Sequence, residues 1–259
     1  MDIEVRDIYN AILNAELEGA ELILHASGIL GEEKTCHRDV VTEYDRRVQE
    51  LIVARLREAV PDACFFCEEN ALHDDLHAEH LFVIDPIDGT MNFVKGCGHS
   101  SISVAYLNRG VLTAGAIYNP YIKEMFSAIK GEGAWLNGKP IHTADTPLSE
   151  NIFTFGSTPY NSEYTDETFR LARLAFDNSL DLRRGGSAAL DLANVAAGRV
   201  GIFFELALSF WDYAAGCLIV QEAGGICTML DGKPLPCDGS RTSVFAGGKL
   251  AYADFMALK

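Results

Sequence analysis

A short stretch of the chain, LFVIDPIDGTMNF (81–93), ends an apolar run in two carboxylates and a hydroxyl. Asp85 and Asp88 stand three positions apart, and Gly89 and Thr90 follow at once. Asp and Gly are common turn residues, so one interpretation is a simple turn. The other is a site in which the carboxylates bind a divalent cation and the N–H groups of a helix start hold a phosphate.

Two further segments carry carboxylates near the predicted ends of elements. Glu68 and Glu69 follow a strand-like ACFF segment, and Asp212 stands three residues after Ser209 at a predicted helix start. Taken alone, the Glu pair fits a solvated edge, and Asp212 fits a capping box with Ser209. If all three segments converge, the carboxylates are costly to bury without cations. Ligands that are all oxygen then favour Mg²⁺.

The elements that must position these residues begin with two helices. Apolar spacing predicts a helix over residues 3–27 and a second that begins near Thr42 and ends before Pro61. Asp45, three positions after Thr42, completes a helix-start signal. The ACFF and LFVI strands follow, and their ends carry the acidic residues.

The rest of the chain divides by pattern. Short β runs and the hairpin dipeptide Asn137-Gly138 predict an antiparallel meander. From about residue 146, strands alternate with helices, which is typical of an α/β arrangement. The sequence therefore predicts a single catalytic domain over 1–259 with two lobes, 1–147 and 148–259.

Composition and charge limit the function classes. A formal net charge of −16 disfavours nucleic acid and anionic membranes as partners, although an acidic surface also serves solubility. The N-terminus lacks a secretory signal pattern, and Glu205 and Asp212 interrupt the most apolar region, which argues against a membrane span. Seven cysteines without regular spacing fit a reducing compartment. We therefore expect a cytoplasmic protein with a small-molecule substrate.

Several segments together resemble the inositol monophosphatase family of Mg²⁺-dependent, lithium-sensitive phosphatases. They are the Glu pair, DPIDGTMNF, WDYAAG and EAGG, with DVVTEYD (39–45), GEGAWLNGKPI (131–141) and GGSAALDLANVAAGRV (185–200) where the family carries similar segments. The resemblance implies an α/β fold, the layered αβαβα sandwich of the inositol monophosphatase and fructose-1,6-bisphosphatase type. It also implies two or three Mg²⁺ ions, hydrolysis of a phosphate monoester by metal-activated water, and a homodimer.

The resemblance also implies roles for individual residues. The metal ligands would be Glu68, Asp85, the carbonyl of Ile87, Asp88 and Asp212. Thr90, hydrogen-bonded to Asp45, would act with Glu68 on the attacking water. The substrate contacts would be Asp88, Gly89, Thr90, Ser187, Ala188, Glu205 and Asp212. Cys67 departs from the glycine that commonly precedes the Glu pair, and Lys34 in GEEKTCHRD is left without a role.

Two other motifs have simpler explanations. Cys64 and Cys67 form a C-x-x-C without a second pair at matching spacing, so core thiols are favoured over zinc or redox chemistry. His73, His77 and His80 fall at the spacing of one helix face, but a solvated rim is favoured over a transition-metal site.

Other functions compete with Mg²⁺-dependent hydrolysis of an inositol or sugar monophosphate. Some use a different reaction, and others use the same site on a different substrate. A phosphatase that phosphorylates its own aspartate needs D-x-D-G-T, and two positions before Asp88 stands Pro86, so its nucleophile is absent. The TMNF sequence favours inositol monophosphate or a similar sugar phosphate as substrate. Fructose 1,6-bisphosphate, adenosine 3′,5′-bisphosphate and histidinol phosphate remain alternatives for the same site. A non-catalytic cation-binding module is the alternative from another class.

Overall fold

The structure is a computed structural model that describes residues 4–69 and 75–259. Its helices are α1 (Val5–Leu24), α2 (Glu43–Ala59), α3 (Thr90–Val94), α4 (Thr165–Phe176), α5 (Ala188–Ala196), α6 (Phe210–Glu222) and α7 (Lys249–Leu258). Its strands are β1 (Glu32–Cys36), β2 (Asp39–Val41), β3 (Cys64–Cys67), β4 (His80–Asp88), β5 (Ser101–Asn108), β6 (Val111–Asn119), β7 (Glu124–Ile129), β8 (Gly133–Leu136), β9 (Lys139–Ile141), β10 (Ile152–Phe155), β11 (Asp181–Arg183), β12 (Ile202–Leu208), β13 (Ile226–Thr228) and β14 (Thr242–Gly247).

Two large sheets and three helix layers build the molecule, and β1 and β2 form a third, two-stranded sheet. A seven-stranded sheet runs in chain order from β3 to β9, and a five-stranded sheet has the order β11-β10-β12-β14-β13. Helices α1 and α2 pack on the outer face of the first sheet, α5 and α6 fill the space between the sheets, and α4 and α7 cover the second sheet. This αβαβα layering confirms the predicted fold class.

Strand β4 packs against a hydrophobic core on each of its two faces. Leu81 and Val83 pack toward α5 and α6, whereas Phe82 and Ile84 pack toward α1 and α2. Successive side chains of a strand point to opposite faces, so a strand covered on both sides is apolar throughout. The strand therefore crosses the interior and emerges with Asp85 and Asp88 at its end.

Local signals predicted several elements correctly. At the start of α2, the Thr42 N–H donates to Asp45 Oδ2 at 2.8 Å, and the Asp45 N–H donates back to Thr42 Oγ1 at 3.4 Å. Strands β5 to β9 form the predicted antiparallel meander. Asn137 and Gly138 join β8 to β9 with φ values of 49° and 75°, as a tight hairpin turn requires.

Other elements were not predicted. The β1–β2 hairpin consists of mostly polar residues without apolar alternation, so it carries no strand signal. Helix α7 was also missed. The sequence analysis did not foresee that Cys217 on α6 pairs with Cys227 on β13, with 5.7 Å between their Cα atoms. Within the described ranges, no helix is long and apolar enough to cross a membrane.

Candidate active site

Three strand ends and three helix starts meet at one cavity of about 350 Å³. It lies where β3, β4 and β12 end and where α3, α5 and α6 begin. The three acidic segments of the sequence all reach it, so they converge as the metal-site hypothesis requires. The predicted residues that line it are Glu68, Asp85, Ile87, Asp88, Gly89, Thr90, Ser187, Ala188, Glu205 and Asp212.

The end of β4 brings its two carboxylates to the cavity through an irregular pairing. The register with β5 shifts between Asp85 and Asp88, and the Ile87 N–H donates to Asp85 Oδ1 at 3.1 Å. Gly89 follows with φ of 85°, and a Cβ there would lie 3.0 Å from the Gly186 carbonyl oxygen. Glycine is therefore needed here both for its backbone conformation and for the close approach of the Gly186 loop. The segment is therefore a turn, and its two carboxylates also line the cavity, as the site interpretation requires.

Asp88 is held from the opposite side of the cavity. The Ser187 hydroxyl and the Ala189 N–H, at 2.9 Å, both donate to Asp88 Oδ2. These donors sit at the start of α5, where the helix dipole favours a negative charge. Burial raises the pKa of Asp88 to about 6, although the hydrogen bonds from Ser187 and the α5 backbone oppose that rise. Ser187, expected to touch substrate, thus binds a carboxylate of the site.

Thr90 contacts two acceptors at the start of α3. Its Oγ1 lies 3.1 Å from Asp45 Oδ1 and 3.0 Å from the Ile87 carbonyl oxygen, and its single proton serves one of them at a time. Asp45 is fully buried and also accepts the N–H of Thr42. Burial is the main reason that the pKa of Asp45 rises to about 6. The structure therefore shows the Thr90–Asp45 contact that the resemblance implied.

Lys34 enters the site between the two glutamates. From β1, its Nζ donates to Glu68 Oε1 at 2.9 Å and also to Glu69. Burial opposes the charge on Lys34, but the neighbouring carboxylates of Glu68 and Glu69 outweigh it and raise the lysine pKa. Burial, followed by repulsion from Glu68, raises the pKa of Glu69 to about 7. The sequence analysis gave Lys34 no role, because β1 carries no signal that places it there.

Asp212 combines the two interpretations left open by its sequence. Its Oδ2 accepts the Ser209 N–H at 2.7 Å, so it caps α6. It also lines the cavity, and burial, then the charges of Glu68 and Asp88, raise its pKa well above the usual range. The cap holds the Asp212 carboxylate at the start of α6, where it lines the same cavity as the other acids.

Glu205 lines the cavity from β12. Its Oε1 accepts the Thr158 N–H at 2.9 Å and the Thr158 hydroxyl at 3.0 Å. Thr158 has φ of 39°, a conformation that costs free energy for a β-branched residue and persists only when neighbours impose it. A Cβ on Gly156 would overlap the Glu205 carboxylate, so a larger residue at that position would displace Glu205.

Sequence reasoning missed one further acid of the cavity. Asp191 lies one turn into α5, is buried, and lines the cavity beside the predicted residues. Burial, followed by the charges of Asp88 and Glu205, raises its pKa well above the usual range. The available signal was an aspartate in the otherwise apolar segment SAALDLANVAA, since an unpaired carboxylate is rare on a buried helix.

The acids at the deep end of the cavity fit a divalent cation by their chemistry. Burial and the charges of Glu68, Asp88 and Asp212 raise the pKa of Asp85, whose carboxyl is within hydrogen-bonding reach of Glu68. Such a cluster is relieved either by protons or by cations, and its donors are all oxygens. Within residues 4–69 and 75–259, no three acidic, His or Cys side chains are already arranged as a metal cluster.

The described histidines and the C-x-x-C cysteines do not line the cavity. His80 Nδ1 is 2.6 Å from the Tyr106 hydroxyl, and the His77 N–H donates to Asp75, while His73 lies outside the described residues. Cys64 and Cys67 are the ends of β3 and pack against opposite cores. This packing agrees with the interpretation of both cysteines as core thiols.

The comparisons with known proteins agree with the fold and show the family. The chain matches the sequence model of the inositol monophosphatase family over residues 4–257, and it belongs to that family. It is 35% identical over 236 residues to the Nus factor SuhB of Pseudomonas aeruginosa, covering 88% of this chain and 87% of that protein.

Two further relatives carry phosphatase names. The fructose-1,6-bisphosphatase/inositol-1-monophosphatase of Thermotoga maritima is 38% identical over 217 residues, which cover 84% of this chain and 81% of that protein. A solved IMPase/NADP phosphatase, complexed with Mg²⁺ and phosphate, is 25% identical with a TM-score of 0.82, covering 96% of this chain and 92% of its own.

Proposed function

We propose that this protein hydrolyses a phosphate monoester with the help of Mg²⁺, with inositol monophosphate or a similar sugar phosphate as the substrate. The observation that carries the proposal is the convergence of Glu68, Asp85, Asp88 and Asp212 beside the Thr90–Asp45 pair. A purely structural acidic cluster would not need a half-buried hydroxyl bonded to a buried carboxylate next to it. The phosphatase names of two relatives support the same reaction class.

The residues that would hold Mg²⁺ are Glu68, Asp85, the Ile87 carbonyl, Asp88 and Asp212. When bound, divalent ions neutralise these acids, polarise the phosphoryl oxygens and lower the pKa of coordinated water. Two or three ions match the number of carboxylates. Asp88 is presented to such an ion by Ser187 and Ala189, which occupy one of its oxygens.

Thr90 and Asp45 act on the attacking water. The Thr90 Oγ1 donates its proton to Asp45 Oδ1 and offers its lone pairs to a water proton. Because Asp45 is buried and has a pKa of about 6, it is a strong enough acceptor to take up a proton near neutral pH. Glu68, which lines the same cavity, would help to orient this water.

The substrate would lie across the cavity. The N–H groups of Gly89 and Thr90, at the start of α3, offer hydrogen bonds to the phosphate. Ala188, Glu205 and Asp212 face the departing alcohol, and a carboxylate such as Glu205 binds its hydroxyl groups. Thr158 occupies one Glu205 oxygen, which leaves the other for the substrate.

The test is phosphate release from a panel of esters with Mg²⁺ and with EDTA. The panel contains inositol monophosphate, fructose 1,6-bisphosphate, adenosine 3′,5′-bisphosphate and histidinol phosphate. We expect Mg²⁺-dependent release by the wild type, almost none by Asp88→Asn, and normal release by the exposed-site control Asp62→Asn. Release that is equal in wild type and Asp88→Asn would contradict the proposed site.

A Nus-factor role is a second candidate, favoured by the 35% identity to the Pseudomonas relative of that name. This candidate assumes no turnover, so an Asp88→Asn variant that keeps the fold should retain it.

The homodimer, the cytoplasmic location and the lack of nucleic-acid partners that the sequence predicts belong to the phosphatase proposal. Light scattering of the purified chain tests the dimer.

A further inference from the structure

One acid of the cavity, Asp191, is neither a proposed metal ligand nor part of the Thr90–Asp45 pair. It lies in the first turn of α5, three positions after Ala188, so the two side chains are neighbours on one face of the helix. Asp191 is 3% exposed and lines the cavity. The dipole of α5 favours a carboxylate here, but by less than its burial costs. Helix stabilisation alone therefore does not explain an acid at this position.

The backbone fixes Asp191 from behind. A Cβ on Gly185 would lie 3.1 Å from Asp191 Oδ1 and 2.7 Å from His99 Nε2, so the chain at Gly185 passes directly against the carboxyl group. Burial raises the pKa of Asp191, and the charge of Arg184 and the Thr154 hydroxyl oppose that rise. The carboxyl group is thus held in one place at the wall of the cavity.

Glu205 lines the same part of the cavity and is close enough for its charge to act on Asp191. Thr158 occupies Glu205 Oε1, whereas Oε2 lies over Gly156, which has no side chain and also lines the cavity. Burial raises the pKa of Glu205 as well, and the charge of Arg184 opposes the rise in both acids. One wall of the cavity therefore presents two buried carboxyl groups side by side.

From this wall, and resting on the proposed function, we infer that Asp191 forms a hydrogen bond with a hydroxyl group of the departing alcohol, beside the hydroxyl that Glu205 binds. A polyol satisfies both carboxyl groups, whereas an apolar alcohol covers them and leaves them without a partner. A site built to bind hydroxyl groups strongly rejects an analogue that lacks them. Asp191 is therefore a specificity-determining residue, which selects monophosphates of alcohols with at least two further hydroxyl groups.

The experiment compares two esters with the same six-membered carbon ring, inositol 1-phosphate and cyclohexyl phosphate, which has no free hydroxyl group on its ring. The measured quantity is the ratio of their kcat/KM values at saturating Mg²⁺. We expect the wild type to prefer the inositol ester at least about 100-fold, because each of two buried carboxyl groups left unpaired costs about tenfold.

The variant Asp191→Leu removes both oxygens. It should lower the preference for inositol 1-phosphate about tenfold, mainly through a higher KM, since the lost contact is made equally in the ground and transition states. Cyclohexyl phosphate should be hydrolysed as well as before or better. Asp191→Asn keeps the shape, one donor and one acceptor, so it should retain most of the preference.

Asp181→Leu is the matched control, because Asp181 is exposed on β11 and is paired with Arg183. It should leave the preference unchanged. If Asp191 only supports α5, then Asp191→Leu lowers kcat for both esters alike and leaves their ratio at the wild-type value, and the inference is wrong. Circular dichroism shows whether the leucine variant is folded; if it is not, Asp191→Ala carries the same expectations.

The outcomes separate this inference from the proposed function. If the wild type hydrolyses both esters at equal kcat/KM, the phosphatase proposal stands and the role of Asp191 falls. If neither ester is hydrolysed, the proposed function fails for them, and calorimetric titration with the same two esters in Mg²⁺ decides the role of Asp191. Tighter binding of inositol 1-phosphate, lost in Asp191→Leu, supports it; equal affinities, or no binding of either ester, overturn it.

Discussion

The seven-stranded sheet buries carboxylates in two very different places. On its outer side, Glu16 of α1 is completely buried in the core, and a backbone contact with Val104 of β5 offsets little of the effect of burial. At the end of β4, Asp85 is 1% exposed but faces other carboxylates and the cavity. Burial is the largest cause that raises the pKa of both groups well above the usual range.

The difference lies in what can relieve the buried charge. Apolar side chains surround Glu16, so only a proton neutralises it, and the neutral carboxyl remains in the core. Asp85 shares an accessible cavity with Glu68, Asp88 and Asp212, so a cation can replace the protons and bind several oxygens at once. A single buried acid is thus a cost in stability, whereas converging acids at a cavity offer several oxygens to one cation.

The largest effect is expected for Asp85→Asn. Removing this charge should lower turnover by at least about 10³-fold, equivalent to about 4 kcal/mol of transition-state stabilisation. Glu16→Gln, the matched change in the core, should leave turnover within about twofold. Steady-state phosphate release at saturating Mg²⁺ measures both, and a similar loss in the two variants would erase the distinction between them.

Thr90 separates the reacting side of the cavity from simple metal binding. Thr90→Ala removes the hydroxyl that contacts Asp45 and should lower kcat by about 10²-fold, the usual size for a lost proton-transfer group. Thr90→Ser keeps the hydroxyl and should recover most of the rate. Magnesium affinity, measured by calorimetry, should stay within about threefold in both, and a large drop would make Thr90 part of the metal site instead.

The free energy of unfolding should respond to Mg²⁺ and to pH through the cavity acids. Asp45 and Asp88, with pKa values of about 6, hold protons in the folded chain that the unfolded chain has already lost. In EDTA, stability should therefore fall as pH rises from about 4 through about 6. Magnesium at about 100 times its Kd should add about 2.7 kcal/mol at pH 7.5.

The Asp85→Asn variant extends that measurement, because the order of stability of variant and wild type should differ between EDTA and Mg²⁺. Without metal it removes one of several repelling buried carboxyls, so the variant should match or exceed the wild type in EDTA. With Mg²⁺ the wild type should be the more stable protein. Urea unfolding followed by circular dichroism gives both comparisons, and a variant that gains from Mg²⁺ as much as the wild type would show that Asp85 is not a ligand.

The smallest effect is expected for Glu16→Leu, at about 1–2 kcal/mol of added stability at pH 8. The folded chain keeps Glu16 protonated because burial raises its pKa, whereas the unfolded chain ionises it near its usual value. Wild-type stability therefore decreases as pH rises above that value, and the advantage of the variant grows over the same interval. Denaturant titrations at pH 5 and pH 8 measure this, with exposed Glu21→Gln as the control; an advantage that shrinks as pH rises contradicts it.

The sequence by itself determined the local parts of this protein. Apolar periodicity located most helices and strands, Thr42 and Asp45 predicted the start of α2, and Asn137-Gly138 predicted a hairpin. The Asp85–Thr90 segment predicted a site for a cation and a phosphate, because its carboxylates, glycine and hydroxyl are neighbours along the chain. Such signals are readable because the interactions that produce them join residues a few positions apart.

Only the tertiary structure decided how the segments meet. Lys34 lies between Glu68 and Glu69, Glu205 accepts hydrogen bonds from the strained Thr158, and Arg38, Arg184 and Arg241 donate to residues 157–160. Nothing in the local pattern of β1 or of residues 157–160 announces these contacts. These contacts join segments that are distant in the chain and that the strand order of two sheets brings together. Residue spacing along the chain does not predict that order.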